Sequence, residues 1–232
     1  MRARFLLRRV HIWLGWIVGV PLLIWTVTGA VMAILPLETV RGEDLLKEPP
    51  PVALSAPSVP PPIGSRPLTS LSLEQRAAGP RWIARFADGE TSLADPATGD
   101  LLPPLSATEA AAEVRQRYQG EASITGVDRT AAGDPPVDLR RKIDAWRVTM
   151  SDGTRFYVNA NTGEIAARRT TLWRFYDFMW GLHILDLGTR ENINNPWLQV
   201  FSVIGAASVV IGLVLLPLTS WRRRRRRTAE KT

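Results

Sequence analysis

The stretch that decides the fold is VHIWLGWIVGVPLLIWTVTGAVMAILPL, residues 10–37. It holds 28 residues with no Asp, Glu, Lys or Arg, and its one titratable side chain is His11. A helix that crosses a bilayer needs roughly 20 such residues. A secretory leader has an apolar core of roughly 7–15 residues, so this run is too long for one, although Val31 and Ala33 would suit a leader peptidase. The expectation is a retained transmembrane helix.

A second run, residues 196–218, reads PWLQVFSVIGAASVVIGLVLLPL. Asn195 then Pro196 is a helix start, a cap followed by proline at the first helical position. Trp197 and Trp221 flank it, as interfacial aromatics do.

Charge sets the expected orientation. Arg2, Arg4, Arg8 and Arg9 precede the first run. Arg222 to Arg227 and Lys231, less Glu230, follow the second. Together these ends carry +10, against +7 for the whole chain, which leaves −3 on everything between them. Basic flanks stay in the cytoplasm, so both termini are expected there and the middle of the chain outside. A basic groove with interleaved aromatics, the footprint of a nucleic-acid binder, is absent. Cysteine is absent too, which excludes disulfides, thiolate metal sites and a cysteine nucleophile. Gly15 and Gly19 make a GxxxG in the first run, and Ser202/Ala206 and Ser208/Gly212 pair similarly in the second. Such spacing suits close helix contact, within one chain or in a homodimer.

Between the runs, residues 49–67 contain eight prolines and read as an extended spacer that lifts the following domain off the membrane. Residues 68–170 contain a repeat. RWIARFADGETSLADPATGDL at 81–101 matches AWRVTMSDGTRFYVNANTGEI at 145–165 with a constant offset of 64. Trp82 aligns with Trp146, Asp88-Gly89 with Asp152-Gly153, and Thr98-Gly99 with Thr162-Gly163. The Asp-Gly pairs predict two-residue type I′ hairpins. Alternation places Trp82, Ala84 and Phe86 on one face, and Trp146, Val148 and Met150 on the other copy's equivalent face, the two packing together. Capping-box patterns at Ser72 to Gln75 and Ser106 to Glu109 predict a helix before each meander, the second over 107–118. EASITGVDRT adds a strand before a loop at 131–139. Asp88 and Asp152 are turn residues by geometry, with metal ligation the competing reading.

The fold class is therefore an α+β extracytoplasmic domain of two helix-plus-antiparallel-meander halves, held by two transmembrane α-helices. In domains, residues 1–9 are a cytoplasmic basic tail, 10–37 the first span and 38–67 a Pro-rich linker. Residues 68–171 are the folded domain, 172–195 an interfacial amphipathic segment, 196–220 the second span and 221–232 an Arg-rich cytoplasmic tail.

Three pieces of the chain resemble one family. Residues 8–43, with H-x-W-L-G at the start and T-G near the far end, resemble the first helix of PepSY-associated transmembrane proteins. DGTRFYVNANTGEI resembles the end of a PepSY domain. YDFMWGLHILDLGTRENINNPWL, residues 176–198, is similar to the family's W-x-L-H-x-x-D element before the next helix. The resemblance implies a bacterial inner-membrane protein with a periplasmic PepSY-like module. Some larger relatives are associated with b-type haem and reduction of ferric siderophores, and other PepSY proteins with binding or inhibiting peptidases. This chain departs from the larger members in having two spans and two histidines.

His11 and His183 are the candidate haem axial ligands. An ionisable residue within a span is a functional candidate by default, and neutral imidazole is a common axial ligand. Asp186, three residues after His183, is a candidate to orient its ring. On the expected topology the two histidines lie at opposite membrane faces, ~30 Å apart. One monomer then cannot place both on one iron, and bis-histidine ligation requires a homodimer or a membrane redox partner. The leading reading is an accessory subunit in membrane electron transfer or iron acquisition, binding haem b within an oligomer. The competing reading is a membrane-anchored, non-enzymatic module that docks a periplasmic protein or regulates a peptidase. No P-loop, Rossmann fingerprint, zinc motif or nucleophile constellation points to an enzyme acting alone.

Overall fold

A computed structural model describes residues 2–53 and 57–229, with side chains described for 5–53 and 57–217. The side chains of Arg222 to Arg227, together with Glu230 and Lys231, lie outside that description. The chain forms two compact units, one of residues 36–174 and one made of the helical segments on either side.

The helical unit contains α1 (Arg2–Ile34) and α5 (Pro196–Ala229). Their apolar stretches, Phe5–Ile34 and Pro196–Pro217, are long enough to cross a bilayer. The core helix of a soluble protein would be buried; here Trp16 is 78% exposed and Val203 70%. Side chains this apolar and this bare are solvated by lipid. Helix α1 stops at Ile34 rather than running to 37, because Pro36 disfavours helical backbone just before it and itself precedes α2 (Leu37–Arg41). The two long helices pack along narrow stripes. Val18, Thr28, Ser208 and Leu215 are buried. Val18 Cγ1 lies 3.9 Å from where Gly205 would carry a Cβ. Gly15 and Gly19 have nothing within 4 Å of theirs among the described residues, so the GxxxG is not part of this contact. As expected, Asn195 caps α5, its Oδ1 accepting from the Leu198 N–H at 2.9 Å.

The second unit is built on two antiparallel four-stranded meanders. The first runs β1 (Leu68–Arg76), β2 (Gly79–Phe86), β3 (Thr91–Ala94), β4 (Leu101–Leu102). Helix α3 (Ala107–Arg117) follows, with the expected capping box between Ser106 and Glu109. The second sheet is β5 (Ile124–Thr130), β6 (Ala145–Met150), β7 (Arg155–Asn159), β8 (Ile165–Arg169). With α3 packed against two sheets the unit is α+β.

The repeat is visible in the turns. In each copy a three-residue loop joins the first two matched strands. Phe86 N–H donates to Glu90 O and Asp88 Oδ1 accepts from Glu90 N–H; Met150, Thr154 and Asp152 repeat this. Only Gly89 and Gly153 take positive φ, +85° and +81°, so these are not two-residue I′ turns but longer ones closed by a left-handed glycine. The Thr-Gly corners also agree: Asp95 N–H donates to Asp100 O, and Asn159 N–H to Glu164 O.

Three expectations need correction. Residues 72–75 start no helix: Leu71 and Leu73 pair with Ala84 and Trp82 in β1. The Gly79-Pro80 break would leave a helix from Ser72 only two turns, and no i, i+3, i+4 stripe follows it. The first copy also presents the other pleat to the core. Ile83 and its partner Leu93, not Trp82, join Val148, Met150, Phe156 and Val158. Alternation favours Trp82, Ala84 and Phe86, because Ile83 stands between Arg81 and Arg85; Ala84 and Phe86 are buried, but it is Ile83 that reaches the cluster shared with the second sheet. Finally, the proline stretch is no free spacer. Val59 N–H donates to Pro96 O at 2.8 Å, and Pro61 is buried. Extended backbone without internal hydrogen bonds is free to take partners from a neighbouring turn.

The sheets are tied to each other as well as packed. Trp146 Nε1–H donates to Leu105 O at 2.7 Å, and buried Arg76 donates from Nε to Thr162 O at 2.7 Å. Val114, Val148, Phe156 and Val158 are fully buried, each worth roughly 1.5–3 kcal/mol against exposure. Neither sheet could bury these positions alone.

Candidate functional site

Helix α4 (Thr171–His183) carries His183 as its last residue. The loop that follows is held by polar contacts. Asp177 is buried and accepts from Arg190 Nη1 at 2.7 Å. Trp180 Nε1–H donates to Arg190 O, and Asn195 Nδ2 donates to Ile184 O. Asp186 does not orient His183. Its carboxylate accepts from the Thr189 hydroxyl and N–H and from the N–H groups of Glu191 and Asn192. These donors, Thr189 first, hold its pKa well below the usual carboxylate range. A carboxylate three residues beyond the C-terminus of a helix faces the loop it opens, not the helix's last side chain.

What orients His183 comes from α1. Its Nδ1 lies 3.0 Å from Thr28 Oγ1 and 3.1 Å from Trp25 O. Its ring stacks on Trp25, centroids 4.7 Å apart and planes 18° from parallel. A Cβ at Gly29 would come within 3.2 Å of His183 Cε1, so only glycine there lets the imidazole this close. The T-G of the family-like first helix is thus the surface His183 rests on.

This geometry suits one tautomer. A carbonyl oxygen only accepts, so a hydrogen bond from His183 to Trp25 O places the proton on Nδ1. Thr28 uses its own hydrogen on Ile24 O at 2.8 Å, leaving its oxygen free to accept from Nδ1 as well. In the neutral ring Nε2 then holds a lone pair, and it makes no hydrogen bond among the described residues. An Nδ1–H held by a backbone carbonyl with Nε2 bare is how proteins prepare a histidine to ligate a metal. His183 also lines a cavity of about 450 Å³ with Leu22, Trp25, Leu198 and Phe201. The wall is almost entirely apolar, of a size that takes a small cofactor.

His11 lies elsewhere on α1. Counting 17 residues from His11 to Thr28 at 1.5 Å each gives about 25 Å. The structure does not bring the two histidines together. The His11 ring abuts α5, its Cε1 3.0 Å and Nε2 3.4 Å from a Cβ placed on Gly212. Its Nδ1 is buried without a hydrogen-bond partner among the described residues. A buried nitrogen left unpaired costs roughly 1–3 kcal/mol. Asp88 and Asp152 act as turn residues, as described above.

Trp25, Thr28 and Gly29 did not stand out as site residues in the sequence. Their signal was the T-G motif, unread because its partner is 155 residues away.

Residues 8–231 match the family described as the PepSY-associated TM region. No curated protein and no solved structure matches the chain.

Proposed function

The chain belongs to the PepSY-associated TM region family, and from that membership we propose that it is a two-pass inner-membrane protein holding haem b at His183, as an accessory subunit in membrane electron transfer or iron acquisition. Both termini lie in the cytoplasm and residues 38–195 on the outer side, as the arginine flanks favour. Helix α4 then lies in the outer interface with Phe175 and Phe178 turned to lipid, both being exposed while Asp177 is buried.

The observation that carries the reading is the contact of His183 Nδ1 with Trp25 O and Thr28 Oγ1. A proton held there on Nδ1 leaves Nε2 available beside an almost entirely apolar wall. Haem b bound there supplies one-electron exchange. A second histidine for the haem would come from another copy or a partner, because His11 is about 25 Å along α1. A homodimer is favoured by the bare Gly15 and Gly19, which stand open on α1.

The test is an absorption spectrum of the detergent-purified protein, expressed with haem available, oxidised and then dithionite-reduced. Sharp reduced α and β bands, lost in His183→Ala, are expected. No Soret band even after haem titration of the full-length dimer would overturn the reading in favour of a periplasmic protein-docking module.

A further inference from the structure

A second concavity lies within residues 36–174, remote in character from the apolar cavity. It encloses about 370 Å³ and is lined by Arg41, Arg117, Arg168, Arg169 and Trp173, with Leu46 and the start of β8 completing the wall. Four arginines line it and no acidic residue does, among the described residues. Like charges gathered in a hollow repel, so such a cluster persists when an anion neutralises it.

The four arginines are held to different degrees. Arg169 is anchored: its Nη1 donates to Arg168 O and its guanidinium lies 4.1 Å from the Trp173 ring centre. Arg117 donates from Nε to Lys47 O at 3.0 Å, which leaves its terminal nitrogens free to point elsewhere. Burial and the charges of Arg76 and Arg168 push its pKa down, the response of a cation in an already positive hollow. Arg41 pairs with Glu43 at 3.5 Å, both side chains about half exposed, which is a weak tie. Arg168 has no side-chain partner among the described residues. Two forks are therefore fixed by the fold, and two are loosely held beside them.

The geometry points to a phosphate-binding site in this pocket, formed by Arg41, Arg117, Arg168 and Arg169. Planar guanidiniums grip phosphate oxygens in pairs, and anchored ones do so with little loss of side-chain freedom. Leu46 and Trp173 offer an apolar surface to whatever the phosphate is attached to. That phosphate can be the headgroup of an anionic phospholipid or a soluble phosphorylated compound. Arg41 follows the end of α1 by seven residues in the chain, which favours the lipid.

The experiment uses the full-length protein in phosphatidylcholine nanodiscs, with and without phosphatidylglycerol, and inorganic pyrophosphate as the soluble probe. Thermal stabilisation by each probe is titrated for the wild type, Arg168→Gln and Arg115→Gln. The Arg168 side chain makes no hydrogen bond or ion pair among the described residues, and Arg115 lies on α3 outside the pocket. Because the C-terminal arginines also attract anionic lipid, only the difference between the two variants counts. Arg168→Gln should weaken the apparent affinity about fivefold, the usual effect of one basic residue at a phosphate surface. Arg115→Gln should leave it unchanged. A loss confined to phosphatidylglycerol assigns the lipid headgroup, and one seen with pyrophosphate assigns a soluble phosphate. Equal behaviour of the two variants, or no stabilisation by either probe, overturns the site.

Discussion

Gly29→Ala tests the His183 contact most directly. A methyl group at residue 29 would stand 3.2 Å from His183 Cε1 and 3.7 Å from Nδ1. Carbon atoms rest at about 3.5–4.0 Å, so the ring must retreat by roughly 0.3 Å or more. Its bonds to Thr28 Oγ1 and Trp25 O, now 3.0 and 3.1 Å, would stretch past the ~3.2 Å at which such bonds weaken. Loss of that bonding costs about 0.5–1.5 kcal/mol, and crowding adds up to a few more. Alanine also favours helix over glycine by about 1 kcal/mol, which masks part of the loss. Gly15→Ala supplies the correction, since residue 15 has open space around it and gains the same propensity. The difference between the two variants should be about 1–3 kcal/mol, with Gly29→Ala the less stable. Denaturant unfolding followed by circular dichroism, in micelles dilute enough to hold monomers, measures it. Nitrogen-15 NMR of the histidines reports whether the proton stays on Nδ1. Identical unfolding of the two variants, with the His183 signal unmoved, would refute the contact.

Two further predictions concern charge. Burial pushes the Glu113 carboxyl up from its ordinary value, opposed by the Ala77 N–H and by Arg76, Arg117 and Arg81. A raised folded-state pKa means stability is greatest below the unfolded value, about 4.3, and is lost as pH rises through the folded one. Glu113→Gln keeps an acceptor for Ala77, so its melting temperature should gain on the wild type between pH 4 and 7; a gap that ignores pH would show that the carboxyl is not strained. Asp177→Ala strands the Arg190 guanidinium and should cost about 3 kcal/mol, the low end for a buried pair because Arg190 is only partly covered. Adding Arg190→Met should recover more than half of that in the same unfolding assay, and a double variant no better than the single would argue against the pair.

Much of this was legible because it is local. Length and apolarity announce both spans. Asn195-Pro196 and the Ser106 box announce helix starts, and the Asp-Gly and Thr-Gly pairs announce corners. What failed needed a partner. Ser72 to Gln75 satisfies a capping pattern, yet its leucines find more in pairing with β2. Alternation points to Trp82, since Ile83 is flanked at i−2 and i+2 by Arg81 and Arg85, and only the second sheet selects Ile83. His183 was found as a candidate from its place in a family-like element. The residues that set its tautomer lie on another helix, so spacing could not supply them, and the nearby Asp186 drew the attribution instead.

The mismatch between the two halves of the repeat has a consequence for how the domain can change. Corners at the same offset coincide, but the first copy turns Ile83 and Leu93 inward where the offset places Arg147 and Tyr157. Had the second stretch been copied over the first, the loops would still close and the Arg147 guanidinium would enter the shared interior; the reverse copy would put Ala84 and Ser92 where Val148 and Phe156 fill it. The halves are therefore barred from converging again: whatever kinship joins them, each has become the other's complement, and neither can serve as its replacement.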